Sequence, residues 1–241
     1  MHPEVQMITT IGFDADDTLW QNETLFRLTQ DRFAAHLAPY CATEDVHGRL
    51  LAAERRNLGH YGYGVKGFTL SMIETAIEVS SGTVPAPVIA EIMASGREML
   101  SHPIDLLPHA FEAVQAMAQR FQVILITKGD LMDQERKLAQ SGLGDLFHGV
   151  EIVSEKTAKT YAKIAQKHGA LPQGMMMVGN SMKSDVLPMI AAGGFGVHVP
   201  HELTWALELA DAPQQTSRFA QIKTLAELPY LVDRLTAAHN Q

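Results

Sequence analysis

The rhythm of apolar and polar positions changes twice along this chain. Ile8, Thr9, Thr10, Ile11, Gly12 and Phe13 form a short, largely apolar run that stops abruptly at Asp14, Asp16 and Asp17. Such a run predicts a buried strand of a parallel sheet. From Asn22 the spacing becomes helical. Leu25, Leu28, Phe33 and Leu37 fall roughly on one face, Asn22 is the expected N-cap with Glu23 in the first turn, and Pro39 stops the helix. Further helices are predicted over residues 44–58 and 69–80, and from Pro85 or Pro87 to residue 100. No strand is predicted between residues 22 and 102. Gly59, Gly62, Gly64 and Gly67 place four glycines in nine positions, which predicts a loop between the second and third helices.

From Leu106 onward the pattern alternates. Strands are predicted at 122–127, 149–153, 175–179, 195–199 and 219–222. Helices are predicted at 108–120, 131–141 and 157–168, after 180–185, and at 225–237. Alternation of this kind implies an α/β fold, with a parallel sheet, helices on both faces and right-handed crossovers. The helical block is then an insert after the first strand. The expected division is an α/β core of residues 1–20 and 105–241 and a helical cap of residues 21–104.

Composition narrows the partners. The 241 residues are 46% hydrophobic and 19% charged, enough to bury a full core. Formal net charge is -8 and no Lys/Arg block stands out, so nucleic acid is not expected as a partner. No apolar run approaches the length of a membrane span, and no membrane association is expected. Met1, His2, Pro3 and Glu4 carry no basic leader pattern, and Cys41 is the single cysteine, so no internal disulfide forms. The expected compartment is cytoplasmic and the expected state a monomer or homodimer.

Candidate chemistry gathers at the predicted strand ends. An extended backbone places side chains two apart on one side, which would put Asp14 and Asp16 together. One carboxylate could attack a phosphoryl group and the other move protons, with Mg2+ screening the charge. The same acids would also serve as a helix start. Thr127, Lys128 and Gly129 follow the second strand, Lys156 the third, and Asn180 and Asp185 the fourth. Sites of α/β proteins are assembled at these carboxyl ends. A hydroxyl and backbone N–H groups hold phosphate oxygen, an ammonium neutralises the nucleophile, and a carboxylate completes a hard-cation site.

Asp14-Ala15-Asp16-Asp17-Thr18, Thr127, Lys156 and the Gly179–Asp185 stretch together resemble the four motifs of the haloacid dehalogenase superfamily of hydrolases, over nearly the whole chain. The resemblance implies a Rossmann-like core and a phosphoaspartyl intermediate on Asp14. Asp16 would protonate the leaving group and then activate water. Mg2+ would sit on the Asp14 carboxylate, the Asp16 backbone carbonyl and Asp185, with Asn180 secondary. Thr127 and Lys128 would hold phosphate. The helical insert is similar to the C1 cap that closes over substrate in that superfamily. Arg55, His60, Tyr61, Tyr63 and Lys66, near the glycine-rich stretch, are the candidates for specificity toward a small phosphorylated metabolite. Two positions depart from the common pattern: Asn180 stands where an acid is frequent, and Lys128 where Asn often follows the threonine. The dehalogenases of the superfamily lack an acid at the Asp16 position and need no metal, so Asp16 favours phosphate-ester hydrolysis. The alternatives are a metal-free 2-haloacid dehalogenase, a sugar phosphomutase or a catalytically weak regulatory relative.

Overall fold

Parallel strands buried on both faces need apolar side chains on both sides, and the strands here have them. A computed structural model describes residues 7–214 and 216–237. Residues 1–6, 215 and 238–241 lie outside the described residues. The chain divides into two compact units, one of Met1–Gln21, Ile104–Thr127 and Glu135–Gln241, the other of Asn22–Pro103 and Lys128–Gln134.

The first unit is an α/β sandwich of Rossmann-like type. Its strands are β1 (Thr10–Phe13), β2 (Gln122–Lys128), β3 (Gly149–Val153), β4 (Met175–Gly179), β5 (Phe195–His198) and β6 (Phe219–Gln221). They form one sheet in the order β3-β2-β1-β4-β5-β6. β1 pairs in parallel with β2 and β4, with Phe13 opposite Leu125 on one side and Val178 on the other. The chain order reverses between β1 and β4, and a crevice at such a switch point is where α/β sheets take ligands.

Alternate side chains of β2 and β4 feed separate cores. Val123, Leu125, Met176 and Val178 join Ile11, Phe13 and Trp20 on one face. Ile124, Ile126, Met175 and Met177 join Tyr161 and Ile164 on the other. Among the described residues four α-helices belong wholly to this unit, α5 (Ala110–Ala118), α7 (Ala158–Lys167), α8 (Leu187–Ala191) and α9 (Leu228–Ala237), and most of α6 (Leu131–Ser141) joins them, its first turn excepted. The helix expected right after Asp185 begins instead as a π-turn, Met182–Val186, that runs into α8.

The second unit holds α1 (Glu23–Leu37), α2 (Thr43–Tyr61), α3 (Val65–Val79) and α4 (Ala86–Ser101) around Phe33, Leu37, Leu50, Phe68, Met72 and Ile92. Asn22 makes no side-chain capping bond. The predicted loop over 59–67 is much shorter than expected. α2 continues through Gly59 to Tyr61, because a glycine in an exposed helix costs only about 1 kcal/mol, which packing offsets. Only the link to α3 breaks the helix, where Gly62 (φ 72°) and Gly64 (φ 103°) take conformations that side chains avoid. Residues Lys128–Gln134, assigned to the core by pattern, group with this unit. Lys66 Nζ pairs with Asp130 at 2.9 Å and the Lys128 ammonium lies 3.9 Å from the Tyr63 ring centroid. No described helix is long and apolar enough to cross a membrane.

Candidate active site

β1 ends at Phe13 and the chain turns at once. Leu19 N–H donates to Ala15 O at 2.8 Å and Asp17 N–H to Trp20 O at 2.7 Å. Asp17 adopts a left-handed conformation, φ 60°, which Asp and Asn tolerate better than most residues. The backbone still pairs at Asp14, whose N–H donates to Val178 O at 2.9 Å, and, after burial, the Asp16 charge is near enough to help push the Asp14 carboxyl up. The two carboxylates are served by different partners.

Asp14 is 7% exposed. One of its oxygens accepts from the Lys156 ammonium, and the other accepts from Thr18 Oγ1 at 3.0 Å. Lys156 also donates to Asp185 Oδ1 at 2.7 Å, and Asp185 Oδ2 takes the Ser181 N–H at 2.9 Å. A Cβ on residue 179 would fall 2.2 Å from that Oδ2, so glycine at the end of β4 is what lets the carboxylate lie against the strand. The π-turn carrying Asp185 is tied down in turn. Ser181 Oγ donates to Glu208 Oε2 at 2.6 Å, Ser184 Oγ donates to the same oxygen, and Tyr161 OH donates to Ser184 O at 3.0 Å.

Asp16 has its own support. Trp20 Nε1–H and Lys137 Nζ both donate to its Oδ1, at 2.7 and 2.9 Å. Asn180 joins the Asp14 side of the site. Its N–H donates to Thr18 Oγ1 at 3.0 Å, and its Oδ1 lies 3.3 Å from the same hydroxyl. One hydroxyl proton serves only one acceptor at a time, so Asp14 Oδ2 and Asn180 Oδ1 compete for it. His198 Nε2 donates to Asn180 O at 3.0 Å.

The electrostatics follow from this packing. Burial pushes the Asp14 carboxyl up and the Asp185 charge adds to that, against the opposing pull of Lys156, and the net result is about 7. Burial works to lower the Lys156 ammonium, but the charges and hydrogen bonds of Asp14 and Asp185 outweigh it and hold it above its usual value. Burial, followed by the Asp185 and Asp14 charges, pushes the Tyr161 hydroxyl well up, so it stays a neutral donor. With both carboxyl groups ionised, two buried carboxylates sharing one buried ammonium would carry a surplus negative charge, and the raised Asp14 value reflects the cost of that state.

The haloacid dehalogenase-like hydrolase family matches residues 8–193. A haloacid dehalogenase-like family hydrolase from Xanthomonas campestris is 42% identical, with 100% of this chain and 97% of that chain covered at a TM-score of 0.86. The chain belongs to the haloacid dehalogenase-like hydrolases. More distant structures of this hydrolase family share the fold. The HAD-hydrolase YfnB from Bacillus subtilis, bound to magnesium, is 15% identical over 95% of this chain and 100% of that one, at a TM-score of 0.65. L-2-haloacid dehalogenase from Xanthobacter autotrophicus, with chloropropionic acid covalently bound, is 17% identical over 94% and 99%, at a TM-score of 0.66. No curated protein matches the chain.

In this hydrolase the structure brings Asp14, Lys156, Asp185 and Asn180 into one hydrogen-bonded set and holds Asp16 beside it. Thr127, 1% exposed, ends the part of β2 that belongs to the α/β unit. The remaining candidates lie in the helical unit. Lys128 sits over Tyr63, Lys66 pairs with Asp130, and Tyr61 OH donates to Glu74 Oε1 at 2.9 Å. Arg55 and His60 are exposed on α2. Lys137 and Glu208 were not singled out by pattern. Each lies in a stretch that pattern alone gives to solvent or to a loop, and no local spacing signals its partner.

The Mg2+ implied by the resemblance can be tested against these donors. Among the described residues no three His, Cys, Asp or Glu side chains cluster as a metal cage. What converges on Thr18 is a carboxylate oxygen and an amide oxygen, beside the surplus negative charge of the ionised state. Oxygen donors of this kind suit a hard cation that keeps several waters, so the residues fit Mg2+. Asp185 stands differently from the expectation. It is 0% exposed with both oxygens engaged, and in this packing its carboxylate serves Lys156.

Proposed function

We propose that this hydrolase is a Mg2+-dependent phosphatase of small phosphorylated metabolites, working through an aspartyl-phosphate on Asp14. The observation that carries the reading is the separate support of two carboxylates two residues apart, Lys156 with Thr18 for Asp14 and Lys137 with Trp20 for Asp16. A nucleophile and a proton carrier need different environments, and one shared cation would not provide them.

An Asp14 oxygen attacks phosphorus and the ester bond breaks. The leaving oxygen takes a proton from the Asp16 carboxyl. Asp16, now a carboxylate, accepts a proton from water as that water attacks the phosphoaspartate. Inorganic phosphate departs and Asp14 is regenerated. The Lys156 ammonium neutralises Asp14 and the phosphoryl group, and the Thr127 hydroxyl holds a phosphoryl oxygen. Asp14, the Asp16 backbone carbonyl and Asn180 would hold Mg2+, with Asp185 acting through Lys156. The bound cation would supply positive charge against the surplus described above and against the incoming phosphate.

Hydrolysis of p-nitrophenyl phosphate with Mg2+ and with EDTA tests the reading. The expected result is turnover with Mg2+ and none with EDTA. Full activity in EDTA sinks the metal requirement, and chloride release from 2-chloropropionate without metal would move the reading to the dehalogenases.

A further inference from the structure

We propose that Lys137 and Trp20 are positioning residues for Asp16, aiming its carboxyl group at the leaving oxygen and so setting how well poor leaving groups are expelled. The proposal rests on the phosphatase reading above. Both donors fall on one oxygen of Asp16, Trp20 Nε1 at 2.7 Å and Lys137 Nζ at 2.9 Å. Two donors on one atom from different directions fix both torsions of a short side chain.

Both donors are themselves held. Trp20 is fully buried, and its backbone bridges Asp16 on one side and Leu106 on the other. Gln21 N–H donates to Asp105 O and Leu107 N–H to Leu19 O, each at 2.9 Å. The Lys137 side chain is only 8% exposed. Burying an ammonium is costly without a partner, and a lysine on a solvent-covered helix could have kept its head in water. Its burial against Asp16 gives that carboxylate a counter-charge independent of Lys156, which is committed to Asp14 and Asp185. Both residues act through Asp16, whose Oδ1 they hold, and not on the substrate itself. Their effect is geometric, and a carboxyl displaced by an ångström transfers its proton far less well.

The test measures kcat and KM with Mg2+ for p-nitrophenyl phosphate and for an alkyl phosphate, glycerol 2-phosphate, in the wild type, Lys137→Met, Lys137→Arg and Trp20→Phe. For Lys137→Met, kcat on the alkyl ester is expected to fall by about ten- to a hundredfold while the aryl ester loses no more than about threefold and KM stays near wild type. Lys137→Arg should recover most of the loss, and Trp20→Phe should show the same selectivity at smaller size. Should Lys137→Met melt before the assay temperature, Lys137→Gln makes the same comparison. A purely structural role would lower both substrates alike. Equal losses, or none, in variants of an active wild type overturn this proposal and leave the phosphatase reading standing. A wild type inert on both esters overturns the phosphatase reading and this proposal with it.

Discussion

The two units of this hydrolase handle charge in opposite ways. In the α/β unit Asp14, Lys156 and Asp185 are nearly or fully buried and linked to one another. In the helical unit several ion pairs stay at the surface. Arg56 pairs with Glu74 and Glu78 at 3.2 and 2.8 Å, and Arg32 with Glu98 at 3.0 Å, with every side chain at least a third exposed. Surface pairs contribute about 0–1 kcal/mol, whereas an ion buried without a partner costs several kcal/mol. The buried set is therefore a poor way to stabilise a fold and a good way to hold a reactive carboxylate. The proposed chemistry uses the unit that bears this burden.

The sharpest break of the comparison is Asp14→Asn. It should reduce turnover by about four orders of magnitude or more, because the nucleophile is lost, while circular dichroism shows a folded protein. Near wild-type hydrolysis by this variant would falsify the phosphoaspartyl step. Lys156→Met comes next. It leaves Asp14 and Asp185 buried without their cation, and should cost about 3–5 kcal/mol in urea unfolding as well as activity. A loss below about 1 kcal/mol would mean that the pair is not a buried unit.

Smaller effects sharpen the contrast. Asn180→Ala should raise the Mg2+ concentration needed for half-maximal activity, and Asn180→Asp should lower it or leave it unchanged, since added charge favours a hard cation. A rise with Asn180→Asp would remove Asn180 from the cation site. The smallest effect belongs to the helical unit. Hydrogen bonds from Asn57, then Tyr61 and Arg56, hold the Glu74 carboxyl below its usual value against the opposing effect of burial. A carboxylate lowered in this way contributes stability above its ordinary value of 4.5, and that contribution fades as pH falls through the lower folded value. Glu74→Gln should therefore change the melting temperature slightly at pH 7 and less at pH 3, with turnover unaffected. A large loss of turnover would tie this network to the chemistry.

Much of this was written locally. Runs such as 122–127 and 175–179 are too uniformly apolar to be anything but strands covered on both faces, so the parallel sheet could be read directly. The acids after β1 and the groups Thr127, Lys156, Asn180 and Asp185 could be placed at strand ends by the same argument. The family followed from their order.

Tertiary structure decided which group serves which. Asp14 and Asp16 looked like one pair by spacing, and packing gives each its own lysine, Lys156 for Asp14 and Lys137 for Asp16. Asp185 was placed at a strand end by pattern, but its pairing with Lys156 depends on packing, because Gly179 lets its carboxylate lie against β4. Lys137 and Glu208 gave no local sign at all, since each meets its partner only after distant segments of the chain pack together. Periodicity reports which face of an element is buried, and the element is short-range. A hydrogen-bond partner 121 residues away is a property of the packed chain alone.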